Sequence, residues 1–65
     1  MQIIVNAQAH EVRAQTLEAA LCELGFTSPA IATALNGVFV SRAKRSDVLL
    51  TNGDRLEVLA PMQGG

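Results

Sequence analysis

Residues 31–40 read IATALNGVFV, in which two apolar stretches flank the pair Asn36-Gly37. An Asn-Gly pair in this setting is the strongest short-range signal of a β-hairpin, because both residues tolerate the positive φ angles of a tight turn. The segment therefore predicts two antiparallel strands, one over 31–35 and one over 38–40. The rest of the chain can be assigned outward from this hairpin.

The N-terminal segment predicts another hairpin. Ile3, Ile4 and Val5 are β-branched and typical of a strand. Residues 10–14 alternate between polar and apolar side chains, which indicates a second strand with one face toward solvent. Residues 6–9 supply the turn between the two strands.

One amphipathic helix is predicted after this hairpin, because the apolar spacing changes from two residues to three or four. Thr16 is a suitable N-cap, Glu18 suits the first turn, and Gly25 is typical of a helix end. The apolar stripe that faces the core consists of Leu17, Ala20, Leu21 and Leu24.

The segment after residue 40 predicts a final strand. Residues 41–50 are less regular and can hold a short helix or a bulged edge, and TNGD at 51–54 is a turn. Residues 55–60 alternate, with Leu56 and Val58 on one face.

The predicted order is ββαββ, with four to five strands and one main helix. One helix covers one face of one sheet, so we expect a two-layer α+β domain over residues 1–60. Residues 61–65, PMQGG, have no periodicity and are expected to form a flexible C-terminal tail ending in Gly-Gly.

The composition is that of one globular domain. The chain has 65 residues, of which 49% are hydrophobic and 17% charged, and its net charge is −1. The small charge and the presence of only two aromatic residues argue against a nucleic-acid or membrane-surface partner. No signal peptide is visible, and the single Cys22 cannot form an internal disulfide, so we expect a cytoplasmic protein.

Several short motifs together resemble the ThiS family, the ubiquitin-like sulfur carriers of thiamin thiazole biosynthesis. In chain order they are MQIIVN at 1–6, Thr16-Leu17, Asn36-Gly37 with Val40 and Arg42, NGDRLEV at 52–58, and the terminal Gly64-Gly65. The resemblance spans the whole chain. It implies the β-grasp fold, in which the first and last strands lie side by side and parallel in the middle of a mixed sheet.

The chain departs from the family pattern at a few positions. Ser41 and Arg45 stand where the family often has proline and an aromatic residue, and Asn6-Ala7 replaces a common Asn-Gly. Pro61 replaces a frequent β-branched residue, so the last strand is expected to end early. Aromatic residues often anchor interfaces, so the change at Arg45 bears on partner contacts more than on the fold.

The resemblance implies that the C-terminal carboxylate of Gly65, preceded by Gly64, is the reactive group. Glycines lack Cβ, so such a tail is narrow enough to enter the active site of another protein. A carboxylate is a poor electrophile, but once it is esterified to AMP a sulfur nucleophile can displace AMP and leave a thiocarboxylate. The chain has no Gly-rich loop followed by Lys and Ser/Thr, so ATP must be bound elsewhere.

The protein is therefore predicted to be a co-substrate rather than an enzyme, with no bound cofactor or metal and monomeric when free. The resemblance implies two partners: a ThiF-type adenylating enzyme, which uses ATP and a persulfide sulfur donor, and a ThiG-type thiazole synthase as sulfur acceptor. Candidate partner contacts are Met62, Gln63 and the basic cluster Arg42, Lys44 and Arg45, which could equally be a solvated loop.

Other interpretations stay open at this point. The same chemistry could serve molybdopterin or cysteine synthesis, Gly65 could be joined to lysines as in a protein modifier, or the domain could bind partners with an idle tail. Cys22 is a rival sulfur carrier through a persulfide, although an incidental surface thiol is the simpler interpretation. His10 has no second histidine to complete a metal site and is predicted to be solvated.

Overall fold

The computed structural model describes residues 1–60, and residues 61–65 lie outside the description. The elements are β1 (Gln2–Val5), β2 (Gln8–Glu11), α1 (Leu17–Glu23), β3 (Ala32–Leu35), β4 (Val38–Val40), a 3-10 helix (Arg42–Asp47) and β5 (Arg55–Leu59). The five strands form one mixed sheet in the order β2-β1-β5-β3-β4. Strands β1 and β5 are parallel, and the other neighbours are antiparallel. The predicted β-grasp arrangement is confirmed.

The helix begins and ends at the predicted residues. The Thr16 hydroxyl accepts a hydrogen bond from the Ala19 N–H at 3.2 Å, which caps the first turn. At the other end the Phe26 N–H donates to the Leu21 carbonyl at 2.8 Å, with Gly25 at φ 90°. A glycine in this conformation closes the helix and turns the chain toward β3.

The hydrophobic core lies between α1 and one face of the sheet. Because side chains alternate along a strand, only every second residue of each strand reaches it. The buried apolar residues are Ile3, Val5, Val12, Leu17, Ala20, Leu21, Ile31, Val40, Leu50, Leu56 and Val58. In the described part of the chain no helix packs on the other face of the sheet, which is therefore open to solvent.

Strand β2 begins two residues earlier than predicted. The sequence predicted a turn over 6–9 and a strand over 10–14, whereas the turn uses only Asn6 and Ala7 and the strand is Gln8–Glu11. Two-residue turns fit the right-handed twist of paired strands when both residues have positive φ. Asn6 and Ala7 have φ 48° and 70°, so the turn is tight although it lacks glycine.

We expect Ala7→Gly to stabilise the protein. Alanine at φ 70° is strained because its Cβ crowds the backbone, and glycine removes that strain. Glycine also gives the unfolded chain more conformational entropy, which offsets part of this gain. The free energy of unfolding should therefore rise by about 1 kcal/mol, measured by urea denaturation. Gly37→Ala is the reverse control: Gly37 has φ 83° and, apart from its two chain neighbours, no residue has an atom within 4 Å of the place an alanine Cβ would take, so only backbone strain would act. A lower stability of Ala7→Gly would contradict this account of the turn.

Candidate functional site

Strand β5 leads the chain toward residues 61–65 from the middle of the sheet. Its last residue, Leu59, lies opposite Ala32 of β3. On the other side β1 has already ended, and the Asn6 side chain takes its place: it accepts from the Val58 N–H at 2.9 Å and donates to the Val58 carbonyl at 3.2 Å. Both edges of β5 are therefore paired almost to the end of the described chain, which fixes where the C-terminal segment begins.

The start of β5 is held by Asp54. Its carboxylate accepts from the Thr51 N–H at 2.7 Å, the Thr51 hydroxyl at 2.9 Å and the Asn36 side-chain amide at 3.0 Å. The Asn36 hydrogen bond, followed by that of the Thr51 backbone, holds the pKa of Asp54 below its usual value, although burial opposes the shift. The Asn36 amide oxygen also accepts from the Arg55 N–H at 2.9 Å, so the β3–β4 turn and β5 are joined.

An apolar surface lies on the solvent side of the sheet next to the end of β5. We call it the tail-side face; it consists of Ala32, Ala34, Phe39 and Leu59, with Glu57 beside them around a shallow cavity of about 160 Å³. Phe39 is 69% exposed and Leu59 66% exposed. Exposed apolar side chains that adjoin one another commonly mark protein contacts.

The tail-side face was not predicted from the sequence, although two signals for it were present. Leu59 follows the alternation of Arg55 and Glu57, so it is an apolar residue in the solvent-facing register of β5. Phe39 lies between Val38 and Val40 and must therefore point to the opposite side of β4 from them.

The predicted basic cluster is divided by the structure. Arg42 and Lys44 are exposed on the 3-10 helix, where a partner can reach them. Arg45 is only 5% exposed: its Nε donates to the Thr33 hydroxyl at 3.1 Å and its Nη2 to the Ile31 carbonyl at 2.7 Å. Arg45 must therefore be removed from the predicted exposed cluster, because its side chain lies inward and ties the 3-10 helix to β3.

The other candidate residues have simpler surroundings. Cys22 is an exposed free thiol on α1. His10 is half-buried on β2 opposite Ile3, and within residues 1–60 no three metal-binding side chains come together. The predicted reactive residues Gly64 and Gly65 and the predicted contacts Met62 and Gln63 lie outside the described residues.

The helices between residues 1 and 60 are too short or too polar for any of them to cross a membrane.

Comparisons with known proteins agree with this architecture. A search of the curated proteins found no match, whereas the family comparison matches residues 3–65 to the ThiS family. The crystal structure of a thiamine biosynthesis protein (ThiS) from Geobacter metallireducens is 25% identical, with a TM-score of 0.83 over 100% of both chains. The NMR solution structure of a thiamine biosynthesis protein from the same organism is 25% identical, with a TM-score of 0.81 over 100% of this chain and 88% of the other. Because the family match covers nearly all of its residues, the chain belongs to the ThiS family.

Proposed function

We propose that this protein is a sulfur carrier for the thiazole ring of thiamin and that its Gly65 carboxylate carries the sulfur. The observation that carries the proposal is that β5, paired on both edges, ends only a few residues before Gly64-Gly65. The six residues from Ala60 to Gly65 span at most roughly 20 Å when extended. A rigid domain with a slim terminal segment of that length suits delivery of the terminus into a partner's active site.

The chemistry converts the Gly65 carboxylate to a thiocarboxylate in three steps. The Gly65 carboxylate attacks the α-phosphorus of ATP, which releases pyrophosphate and forms an acyl adenylate. The terminal sulfur of a persulfide then forms a C–S bond while the C–O bond to AMP breaks. A thiol finally attacks the donor-side sulfur of the resulting acyl disulfide, which leaves a thiocarboxylate on Gly65 and a disulfide on the donor.

The catalytic groups for these steps belong to partners in this proposal. A ThiF-type enzyme binds ATP and adenylates Gly65, and a ThiG-type thiazole synthase accepts the sulfur. The chain itself acts as a co-substrate. Met62 and Gln63 accompany the terminus into the partner, and Arg42 and Lys44 are the exposed cations available to contact it.

Intact-mass measurement tests the proposal directly. The purified protein is incubated with ATP, a persulfide donor and a ThiF-type enzyme, and one oxygen atom at Gly65 should be replaced by one sulfur atom. Higher-mass conjugates through lysine with no sulfur at Gly65 would support the protein-modifier interpretation instead. Growth of a deletion strain then selects the pathway, because a requirement for thiamin, molybdopterin or cysteine identifies the product that needs the carrier.

We further expect the tail-side face to bind the adenylating partner. Phe39→Ala removes a large exposed ring next to the end of β5. If this ring anchors the interface, its removal should raise the Kd for the ThiF-type enzyme about tenfold. Val38→Ala is the matched control: Val38 is 66% exposed in the same strand but points to the other side of the sheet. Binding of the ThiF-type enzyme is measured by titration. Equal effects of the two variants would show that the face makes no specific contact.

A further inference from the structure

A polar groove lies on the helix side of the molecule, away from the tail-side face. It separates α1 from the 3-10 helix and has a volume of about 130 Å³. Its polar and charged lining residues are Glu18, Cys22, Thr27, Ser28, Arg42 and Arg45. That size suits a small polar ion rather than a nucleotide.

Arg45 places a positive charge at this groove, and no carboxylate of residues 1–60 forms an ion pair with it. The side chain is 5% exposed, and its two hydrogen bonds go to neutral oxygens of Thr33 and Ile31. Between residues 1 and 60 the only ion pair joins the Met1 ammonium group to Glu11, so no carboxylate of those residues lies within 4 Å of this guanidinium. A buried charge that lacks an opposite charge is costly, and an anion beside it would recover part of that cost.

The geometry leaves donors free to hold such an anion. Nε and Nη2 of Arg45 each have a hydrogen-bond partner, whereas Nη1 donates to no atom of residues 1–60, so it is the nitrogen that a ligand in the groove would engage. The Ser28 hydroxyl accepts from the Ala30 N–H at 3.3 Å, and its own proton remains available to donate. The exposed guanidinium of Arg42 completes a set of donors around the groove.

We propose that this groove is a binding site for a small oxyanion, held between the guanidinium groups of Arg42 and Arg45 with the Ser28 hydroxyl as a third donor. Guanidinium forks fit carboxylate and phosphate oxygens, so the ligand is either a free phosphate-type ion or a carboxylate side chain of a partner protein. Glu18 also lines the groove and opposes the anion, so its charge limits the affinity. The proposal is independent of the sulfur chemistry at Gly65.

NMR titration of the full chain tests this site, with inorganic phosphate in one series and acetate in another at constant ionic strength. Saturable shifts of the Thr27 and Ser28 amides and of Arg45 Nε are expected. Saturation by either probe supports the site; tighter phosphate binding indicates a free phosphate-type ligand, and tighter acetate binding indicates a protein carboxylate. Shifts that do not saturate with either anion would overturn the proposal.

Three exposed-residue variants separate a built site from general electrostatic attraction. Arg42→Gln should weaken binding about fivefold, the upper range for an exposed charge pair, and Glu18→Gln should strengthen it by a similar factor. Lys44→Gln removes the same charge from the same 3-10 helix but lies outside the groove, so the affinity should stay unchanged. If Lys44→Gln and Arg42→Gln weaken binding equally, the anion responds only to net charge and the groove is not its site.

Discussion

A chain that lacks Gly65 is expected to fold normally and to accept no sulfur. Removal of one residue moves the terminal carboxylate back by about 3.3–3.6 Å along an extended chain. Because misplacement of a reacting atom by only ~1 Å can cost ~10²-fold in rate, thiocarboxylate formation should fall at least about 100-fold. The rate is measured by intact mass after incubation with ATP, a persulfide donor and the adenylating enzyme.

Two variants complete this experiment. Replacement of Gly64-Gly65 by Ala-Ala keeps the length of the chain and adds only two methyl groups, so a full rate would show that a slim terminus is not required. Cys22→Ser removes the rival sulfur carrier, an exposed thiol, and should leave the rate unchanged. Loss of transfer in Cys22→Ser, with transfer retained after deletion of Gly65, would move the reactive group from the terminus to the thiol.

Asp54→Ala is expected to cost about 3 kcal/mol of folding free energy, a large part of the stability of a domain this small. The substitution removes the acceptor of three hydrogen bonds, from the Thr51 N–H, the Thr51 hydroxyl and the Asn36 side-chain amide, and frees the start of β5. The loss is measured by urea denaturation, with Asp47→Asn, an exposed carboxylate on the 3-10 helix, as a control that should change stability by under about 0.5 kcal/mol. A loss for Asp54→Ala as small as that of the control would show that the network contributes nothing.

The same carboxylate should make stability depend on pH. The pKa of Asp54 is lowered in the folded state from the ordinary value of 3.8, so the unfolded chain binds its proton more readily. This contribution is therefore complete above pH 3.8 and is lost as the pH falls through the lower folded pKa. Denaturation curves of Asp54→Asn should show less loss of stability below that pH than those of the wild type. Parallel curves for the two proteins would contradict the assignment to Asp54.

Sequence reasoning was most successful where one local feature decided the structure. Thr16 and Gly25 marked the ends of α1, and Asn36-Gly37 marked the β3–β4 turn, where Asn36 and Gly37 have φ 52° and 83°. Alternation placed Leu56 and Val58 in the core. Such features depend on residues within one turn of helix or two strands of a hairpin, so a single sequence contains them.

Sequence reasoning was weakest where a side chain could serve two purposes. Arg45 belonged to an exposed basic cluster by its charge, yet its long side chain reaches Thr33 and Ile31 and is buried. Phe39 and Leu59 were given no role from the sequence, and they lie exposed on the open side of the sheet. Whether each of these side chains is buried or exposed depends on which element packs on which face of the sheet, and local patterns do not contain that information.

The sequence alone determined the helix stripe, the turns at 36–37 and 51–54 and the Gly-Gly terminus, because each is fixed by residue chemistry or by spacing between near neighbours. The position of β5 beside β1 followed from the family resemblance, whereas only the tertiary structure decided that β3 lies on its other side and that the Asn6 side chain completes its pairing with Val58, 52 residues away. The physical reason is that the whole sheet must bury one face against α1, and this requirement selects which distant strands pair. The sequence of a single segment does not contain that information.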